Sequence, residues 1–207
     1  MTGPAALLAH PEARWLQRAL ADRPGAVAGA GLEVRRAAVA LVLRPGDRGL
    51  ELLFIKRADY PGDPWSGQVA FPGGRQEPHD ASLRETALRE TWEETRVDVA
   101  RDGVVLGTLD ELWPRTPVLP PIVVRPYVFV LEPDVPFALS DEVAAAFWAP
   151  LDLLRAPDAT FEATVMVRGE ARRVPAVRHV DYTIWGMTER IFRNLLERWD
   201  EAERTGA

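Results

Sequence analysis

The sequence predicts an α/β fold, a mixed sheet held between helices, and three features lead there. Segments of strand character and segments of helical period follow one another in groups: strands before residue 72, a helix to about residue 95, further strands to residue 177, then a C-terminal helix. Neighbouring strands are joined by short stretches carrying Gly, Pro and Asp, as hairpin turns are. At 207 residues and 47% hydrophobic content, the chain suits one domain with a real core plus an extension.

Residues 1–35 are rich in Ala and Gly. They hold one predicted helix, from about Pro11 to Ala21, whose apolar stripe is Trp15, Leu16, Ala19 and Leu20. A Gly- and Ala-rich linker follows, so this part reads as an extension packed on the core or on a partner subunit, and residues 36–207 as the main domain. Arg36–Leu43 and Leu50–Lys56 are predicted strands around a Pro-Gly-Asp turn, and Ala58–Ser66 is a loop containing Tyr60 and Trp65. Gln68–Phe71 is a short buried strand stopped by the turn Pro72-Gly73-Gly74. Ser82 with Glu85 three residues on predicts a capping box, and a helix runs from there through Glu94. Val104–Leu112 and Ile122–Leu131 are strands joined by a proline-rich stretch, residues 113–121, stiff enough to wall a cleft. Ser140-Asp141-Glu142-Val143 is expected to begin a short helical run into Phe147–Leu151. Thr160–Val167 and Ala171–Val177 form a hairpin around Arg168-Gly169-Glu170, and a last helix spans about Trp185 to Ala202, with Met187, Ile191, Leu195, Leu196 and Trp199 as its apolar face.

The chemistry concentrates at Arg89-Glu90-Thr91-Trp92-Glu93-Glu94. At about 100° per residue, Glu90, Glu93 and Glu94 share one stripe, while Ala81, Leu88, Trp92 and Thr95 lie opposite and are expected to pack. Like charges at this spacing repel by a few tenths of a kcal/mol per pair. A hard divalent cation such as Mg²⁺ or Mn²⁺ reverses that sign, because it takes clustered oxygen ligands and keeps waters for a phosphate substrate. Arg89, four residues before Glu93, is placed to orient that carboxylate. A solvated Glu-rich face is the plain alternative.

The stretch from Gly74 to Val97 resembles the Nudix hydrolase signature, which runs Gly, five residues, Glu, seven residues, then Arg-Glu-apolar-x-Glu-Glu-x-Gly-apolar. Gly74, Arg89, Glu90, Glu93, Glu94 and Val97 match. The spacing from Gly74 to Arg89 is one residue longer, so Ala81 occupies the nominal place of the first Glu and Asp80 lies one position away. Thr91 replaces an apolar residue, and Arg96 replaces the second Gly, whose helix terminus is therefore expected to be built differently. Leu52-Leu53 leading to Gly67-Gln68-Val69-Ala70-Phe71-Pro72-Gly73-Gly74, and Ile184-Trp185-Gly186-Met187-Thr188 near the C-terminus, are similar to the coenzyme A pyrophosphatase branch; Phe54 and Asp63 depart from its upstream motif.

The resemblance implies a Nudix-type α/β/α sandwich that hydrolyses a nucleoside diphosphate linked to another moiety, with coenzyme A or acyl-coenzyme A as first choice. It implies metal ligands Glu90, Glu93, Glu94 and the Gly74 carbonyl, with Glu93, Glu94 and Glu142 open as general base and Arg89 supporting them. Lys56, Arg57 and Trp65 are the substrate-binding candidates; a solvated strand end and a core-packed tryptophan are the alternatives. Asp110 and Glu111 are weaker metal candidates. ADP-ribose, nucleotide sugars and nucleoside triphosphates are alternative substrates, and a catalytically silent nucleotide-binding module is an alternative of another class. A homodimer is implied by the resemblance alone.

Composition narrows the partners. With 25 Lys plus Arg against 31 Asp plus Glu, the net charge is -6 and no basic run would track a nucleic-acid backbone. No apolar run approaches a membrane span and no basic-then-apolar leader begins the chain, so a cytoplasmic protein is expected. The lack of cysteine excludes disulfides, thiolate metal sites and a cysteine nucleophile. His10, His79 and His179 have no ligand spacing and read as surface or packing residues.

Overall fold

The computed structural model describes residues 7–29, 31, 33–62, 65–114, 121–167 and 169–205. Helix α1 (Pro11–Asp22) precedes the strands β1 (Arg35–Gly46) and β2 (Gly49–Arg57), which form a hairpin. Two short strands, β3 (Val69–Ala70) and β4 (Gly73–Arg75), lead to α2 (Leu83–Thr95) and the single turn α3 (Val99–Asp102). Then come β5 (Gly103–Thr108), β6 (Ile122–Leu131), β7 (Val143–Pro150), α4 (Leu151–Leu154), β8 (Thr160–Val167), β9 (Glu170–His179), β10 (Tyr182–Trp185) and α5 (Gly186–Thr205).

The main sheet is mixed, with the order β3-β2-β1-β6-β5. β1 runs parallel to β6 over most of its length, from Arg35 opposite Ile122 to Leu43 opposite Val130. It pairs with β2 only near the hairpin, from Leu43 opposite Leu52 to Gly46 opposite Gly49. Beyond that point the sheet forks. β4 lies against β1 with Ala37, Ala38 and Val39 opposite Arg75, Gly74 and Gly73, while β3 lies against β2 at Ile55 and Lys56. The Ala40 amide donates to the Pro72 carbonyl at 2.8 Å and holds the joint of the fork. A second sheet, β10-β9-β8, stands beside it.

Strand alternation divides the core. Leu41, Leu43, Leu52, Phe54 and Val128 face α1 and α5, whose Leu16, Leu20, Phe192, Leu195 and Trp199 complete that layer. Ala38, Ala40, Val42, Leu53 and Phe129 face α2 through Leu83 and Ala87. The result is the predicted sheet between helices. α1 is part of the main core, with Ala13, Leu16 and Leu20 buried. No described helix is long and apolar enough to cross a membrane.

Three elements differ from expectation. Residues 143–150 form strand β7, not a helical run: they pair antiparallel with β2 from Val143 opposite Arg57 to Pro150 opposite Glu51. The alanines favour a helix locally, but a ladder along β2 with Ala149 fully buried overrides a propensity worth tenths of a kcal/mol per residue. Gly73-Gly74 is strand β4 and not a turn, because its backbone pairs with β1. The strand expected over residues 104–112 ends at Thr108, and Leu112 keeps only an isolated bridge to Val124. Residues 115–120 of the proline-rich stretch and Arg168 of the expected hairpin turn lie outside the described residues.

Candidate active site

α2 carries the site, and its start is built as the capping pattern predicts. The Glu85 amide donates to the Ser82 hydroxyl at 3.2 Å, and the Glu85 carboxylate accepts from an amide at 2.9 Å, that of Ala81 and not of Ser82. The packing face differs in part from expectation: Thr95 is buried and Leu88 packs against the core under the helix as expected, but Ala81 and Trp92 are exposed. Leu83, Thr86, Ala87, Thr91, Glu94 and Thr95 are buried, whereas Trp92 is 44% exposed with the Arg96 guanidinium 5.5 Å from its ring centre. Glu90 and Glu94 thus sit within the packed face, next to Ala87 and Thr91 on the helical wheel. Small side chains there let α2 lie close to β1 and β4. Thr91 fills the apolar slot at no polar cost, since its hydroxyl donates to the Ala87 carbonyl at 2.7 Å. Arg96 ends the helix with φ 58° and ψ 17°, so a non-glycine residue takes the left-handed position itself. The terminus is not built differently.

Arg89 is the hub. Its Nε and Nη2 donate to the two oxygens of Asp80 at 2.9 Å each, its Nη1 to Glu90 and Glu93 at 3.0 Å each, and Nη2 also to the Arg75 carbonyl at 3.1 Å. This is the bidentate geometry in which guanidinium excels. Asp80 is buried and also accepts from the Thr86 hydroxyl at 3.0 Å and the Glu77 amide at 2.9 Å. The Arg89 hydrogen bonds, outweighing burial, hold its carboxyl well below the usual range. The longer loop therefore delivers an acid to Arg89 from position 80.

Glu94 is 4% exposed and accepts a 2.9 Å hydrogen bond from the Gly73 amide. Burial pushes its carboxyl up to about 8; the Gly73 amide and the charge of Arg57 oppose this, and the charges of Glu90 and Glu142 add to it. Burial raises Glu90 as well, against Arg89 and with Glu93 and Glu142. A Cβ at Gly74 would fall 2.2 Å from a Glu90 carboxylate oxygen, so β4 and α2 meet there as backbone against carboxylate. Such a pair of buried, mutually unfavourable carboxylates beside an open backbone suits a hard cation. Among the described residues no three Asp, Glu or His side chains converge as a ready cage. Glu93 is turned to Arg89 and half exposed. The donor set is thus two carboxylates plus backbone, which fits a Mg²⁺-like ion that keeps waters and substrate oxygens as its other ligands.

Glu142 is exposed just before β7, and the Ala58 amide holds its carbonyl at 2.8 Å at the end of β2. It is close enough for its charge to act on both Glu90 and Glu94. An open cleft of about 830 Å³ occupies the fork of the sheet, with Arg57, Trp65, Gly73, Gly74 and Arg75 at one side and Ile122, Val124, Met166, Trp185 and Met187 along an apolar wall. Lys56 is not among its lining residues. Asp110 and Glu111 are elsewhere: Asp110 is tied to Ala26, Asn194 and Arg198, and Glu111 to Ala28, Arg36 and Arg125.

A family model described as the NUDIX domain matches residues 34–168. The chain belongs to the Nudix hydrolase family. The Nudix hydrolase NudL of Cronobacter sakazakii is 37% identical over 185 residues, covering 88% of this chain and 91% of the relative. Two solved structures share the fold. A MutT/nudix family protein from Enterococcus faecalis is 18% identical with TM-score 0.55 over 82% of this chain and 63% of its own, and a MutT protein from Methanosarcina mazei Go1 is 21% identical with TM-score 0.50 over 84% and 99%. This Nudix protein is accordingly a diphosphate hydrolase acting on nucleoside diphosphate-linked compounds, and Nudix enzymes in general use divalent cations. Sequence reasoning overlooked Arg75, Ile122, Val124, Met166 and Met187 as lining of the cleft. Only Met187 carried a signal, through the Trp185-Gly186-Met187 run.

Proposed function

We propose that this Nudix hydrolase splits the diphosphate of coenzyme A or an acyl-coenzyme A, giving adenosine 3',5'-bisphosphate and (acyl-)4'-phosphopantetheine. The observation that carries this reading is the lining of the cleft: it includes Gly73 and Gly74, the backbone against which Glu94 and Glu90 lie, together with the apolar side chains Ile122, Val124, Met166 and Met187. A diphosphate ester with a long, uncharged arm fits such a shape, whereas a nucleoside triphosphate can lay only its base on the wall. The Leu-Leu to Phe-Pro-Gly-Gly motif supports the same substrate.

Glu90 and Glu94, with the Gly74 carbonyl, would hold the cation, Mg²⁺ or Mn²⁺, and Glu93 would stand beside them, held by Arg89. When bound, it neutralises the diphosphate and acidifies the attacking water. The chain's own residues supply the rest. Arg89 fixes Glu90 and Glu93 in place, and the Gly73 amide fixes Glu94. Glu142 is the proton acceptor of choice, because it is exposed and its charge reaches Glu90 and Glu94, while Glu93 is engaged by Arg89 and Glu94 by Gly73. Arg57, near Glu94, meets the diphosphate, and Trp65 lines the entrance of the cleft.

The deciding experiment measures phosphate release with Mg²⁺ or Mn²⁺ from coenzyme A, acyl-coenzyme A, ADP-ribose, NADH and nucleotide sugars, using a coupled phosphatase and a control for the 3'-phosphate of coenzyme A. Coenzyme A or its acyl esters should give the highest kcat/KM. A better turnover of another diphosphate overturns the substrate while leaving the metal chemistry, and no turnover at all favours the nucleotide-binding module.

A further inference from the structure

Three guanidinium groups line the cleft, and they are not equivalent. Arg57 acts on Glu94 at the diphosphate end, and Arg172 is paired with Glu170 at 3.0 Å on the β8–β9 hairpin. Arg75 is exposed, and among the described residues no carboxylate is paired with its side chain. Its backbone is nonetheless fixed: Cα pairing sets it opposite Ala37, and its carbonyl accepts from Arg89 at 3.1 Å. Successive residues of a strand point to opposite faces. Gly74 faces Glu90, and its partner Ala38 belongs to the core layer under α2. Arg75 therefore faces the other way, with Ala37, which lines the cleft and belongs to the layer on the α1 and α5 side.

We propose that Arg75 reads a second anionic group of the substrate, a phosphate on the ribose of the nucleoside, outside the diphosphate being cleaved. This rests on the nucleoside diphosphate reading of the site. The guanidinium stands on the far side of β4 from Glu90 and Glu94, so it is not placed for the phosphates that these residues and their cation address. It is also only one residue, about 3.3 Å of strand, beyond Gly74. An anion within its reach must lie close to the diphosphate, which a ribose phosphate does and a charge at the end of a long arm does not. In a chain of net charge -6, a cation on the wall of the cleft with no carboxylate partner among the described residues gives local attraction that the molecule as a whole does not supply.

The test uses the full chain and two ligand pairs that differ only in this phosphate. Calorimetry compares adenosine 3',5'-bisphosphate with AMP, and kinetics compares coenzyme A with dephospho-coenzyme A. The wild type should bind the bisphosphate about 10- to 100-fold tighter than AMP, the range expected for a charged guanidinium–phosphate contact. Arg75→Ala should bring that ratio to within about twofold, and Arg75→Lys should keep part of it. In turnover the same collapse should appear in the KM ratio of the two coenzymes and not in their kcat ratio. Equal binding of both nucleotides by the wild type, or equal weakening of both in Arg75→Ala, overturns the assignment. If the binding ratio follows Arg75 while neither coenzyme is cleaved, Arg75 stands as the reader and the coenzyme A substrate falls.

Discussion

At the scale of single residues, Glu94 is the most informative side chain. Nearly all of it is buried, and its ionised form is disfavoured without a counter-ion. Glu94→Gln keeps an acceptor for the Gly73 amide and removes the charge, so it should lower kcat on the order of 10²- to 10³-fold while the metal-free protein melts at the same temperature or higher. Activity within a few-fold of wild type, assayed with Mg²⁺ and Mn²⁺, would remove Glu94 from the metal site. The identity of these residues was legible in the sequence, but their surroundings were not. A helical wheel gives angles between side chains and not the side that faces the sheet; hydrophobicity pointed to Leu88, which does pack, and to Trp92, which does not, whereas close approach of α2 selected Ala87 and Thr91. Asp80 was equally hard to place. Counting positions put it one residue off the signature, and only the geometry of the loop brings both of its oxygens to Arg89.

The elements repeat that lesson, since local preference was right wherever it had no competitor. The capped start of α2, the β1–β2 hairpin and the amphipathic α5 follow from short-range patterns that tertiary structure leaves alone. The errors at β4 and β7 arose where a neighbouring strand claimed the backbone, and no local signal reports a partner some 36 residues away, as Gly74 is from Ala38, or some 95 away, as Trp148 is from Leu53. The end of α2 lies between these cases. Arg96 at φ 58° is in a region that costs an L-residue roughly 1–2 kcal/mol, offset in part by its place over Trp92. Glycine would relieve the strain but lose the stack and loosen the unfolded chain, so Arg96→Gly should change stability by no more than about 1 kcal/mol. Arg96→Val lacks both compensations and should be less stable than Arg96→Gly by about 1–2 kcal/mol. Urea unfolding of the two variants measures the difference; equal midpoints would mean that the left-handed turn is not kept in solution.

At the scale of the whole molecule, the N-terminal segment, the sheet and the last helix are tied together at one acid that sequence reading had offered as a metal ligand. Asp110 follows β5 and accepts from the Ala26 amide at 2.8 Å, from Arg198 of α5 at 2.7 Å and from Asn194 at 3.2 Å. The Arg198 side chain is 0% exposed, so Asp110 is its main counter-charge in the interior. Removing the charge of Asp110 leaves Arg198 without its main counter-charge, but Asp110 is itself 32% exposed and water screens part of the pair, so the cost is about 1–3 kcal/mol, below that of a fully buried pair. Asp110→Asn should lose much of that at neutral pH, with α1 and α5 loosened together and the active site untouched in geometry. The pH dependence follows from the direction of the Asp110 shift. Burial works to raise its carboxyl, but the Ala26 amide, Arg198, Asn194 and Arg23 together bring it below the usual carboxylate value. A carboxyl whose folded pKa is depressed contributes its stability above the unfolded value, about 3.9, and loses it as pH falls through the lower folded value. The stability gap between wild type and Asp110→Asn should therefore be full at pH 6 to 8, and should narrow below about pH 4 as the wild-type carboxylate itself takes up a proton. Denaturant unfolding at a series of pH values reads this directly. A gap that stays constant down to pH 3 would mean that the Asn194 and Ala26 hydrogen bonds, and not the charge on Arg198, account for the hold of Asp110 on the two terminal helices.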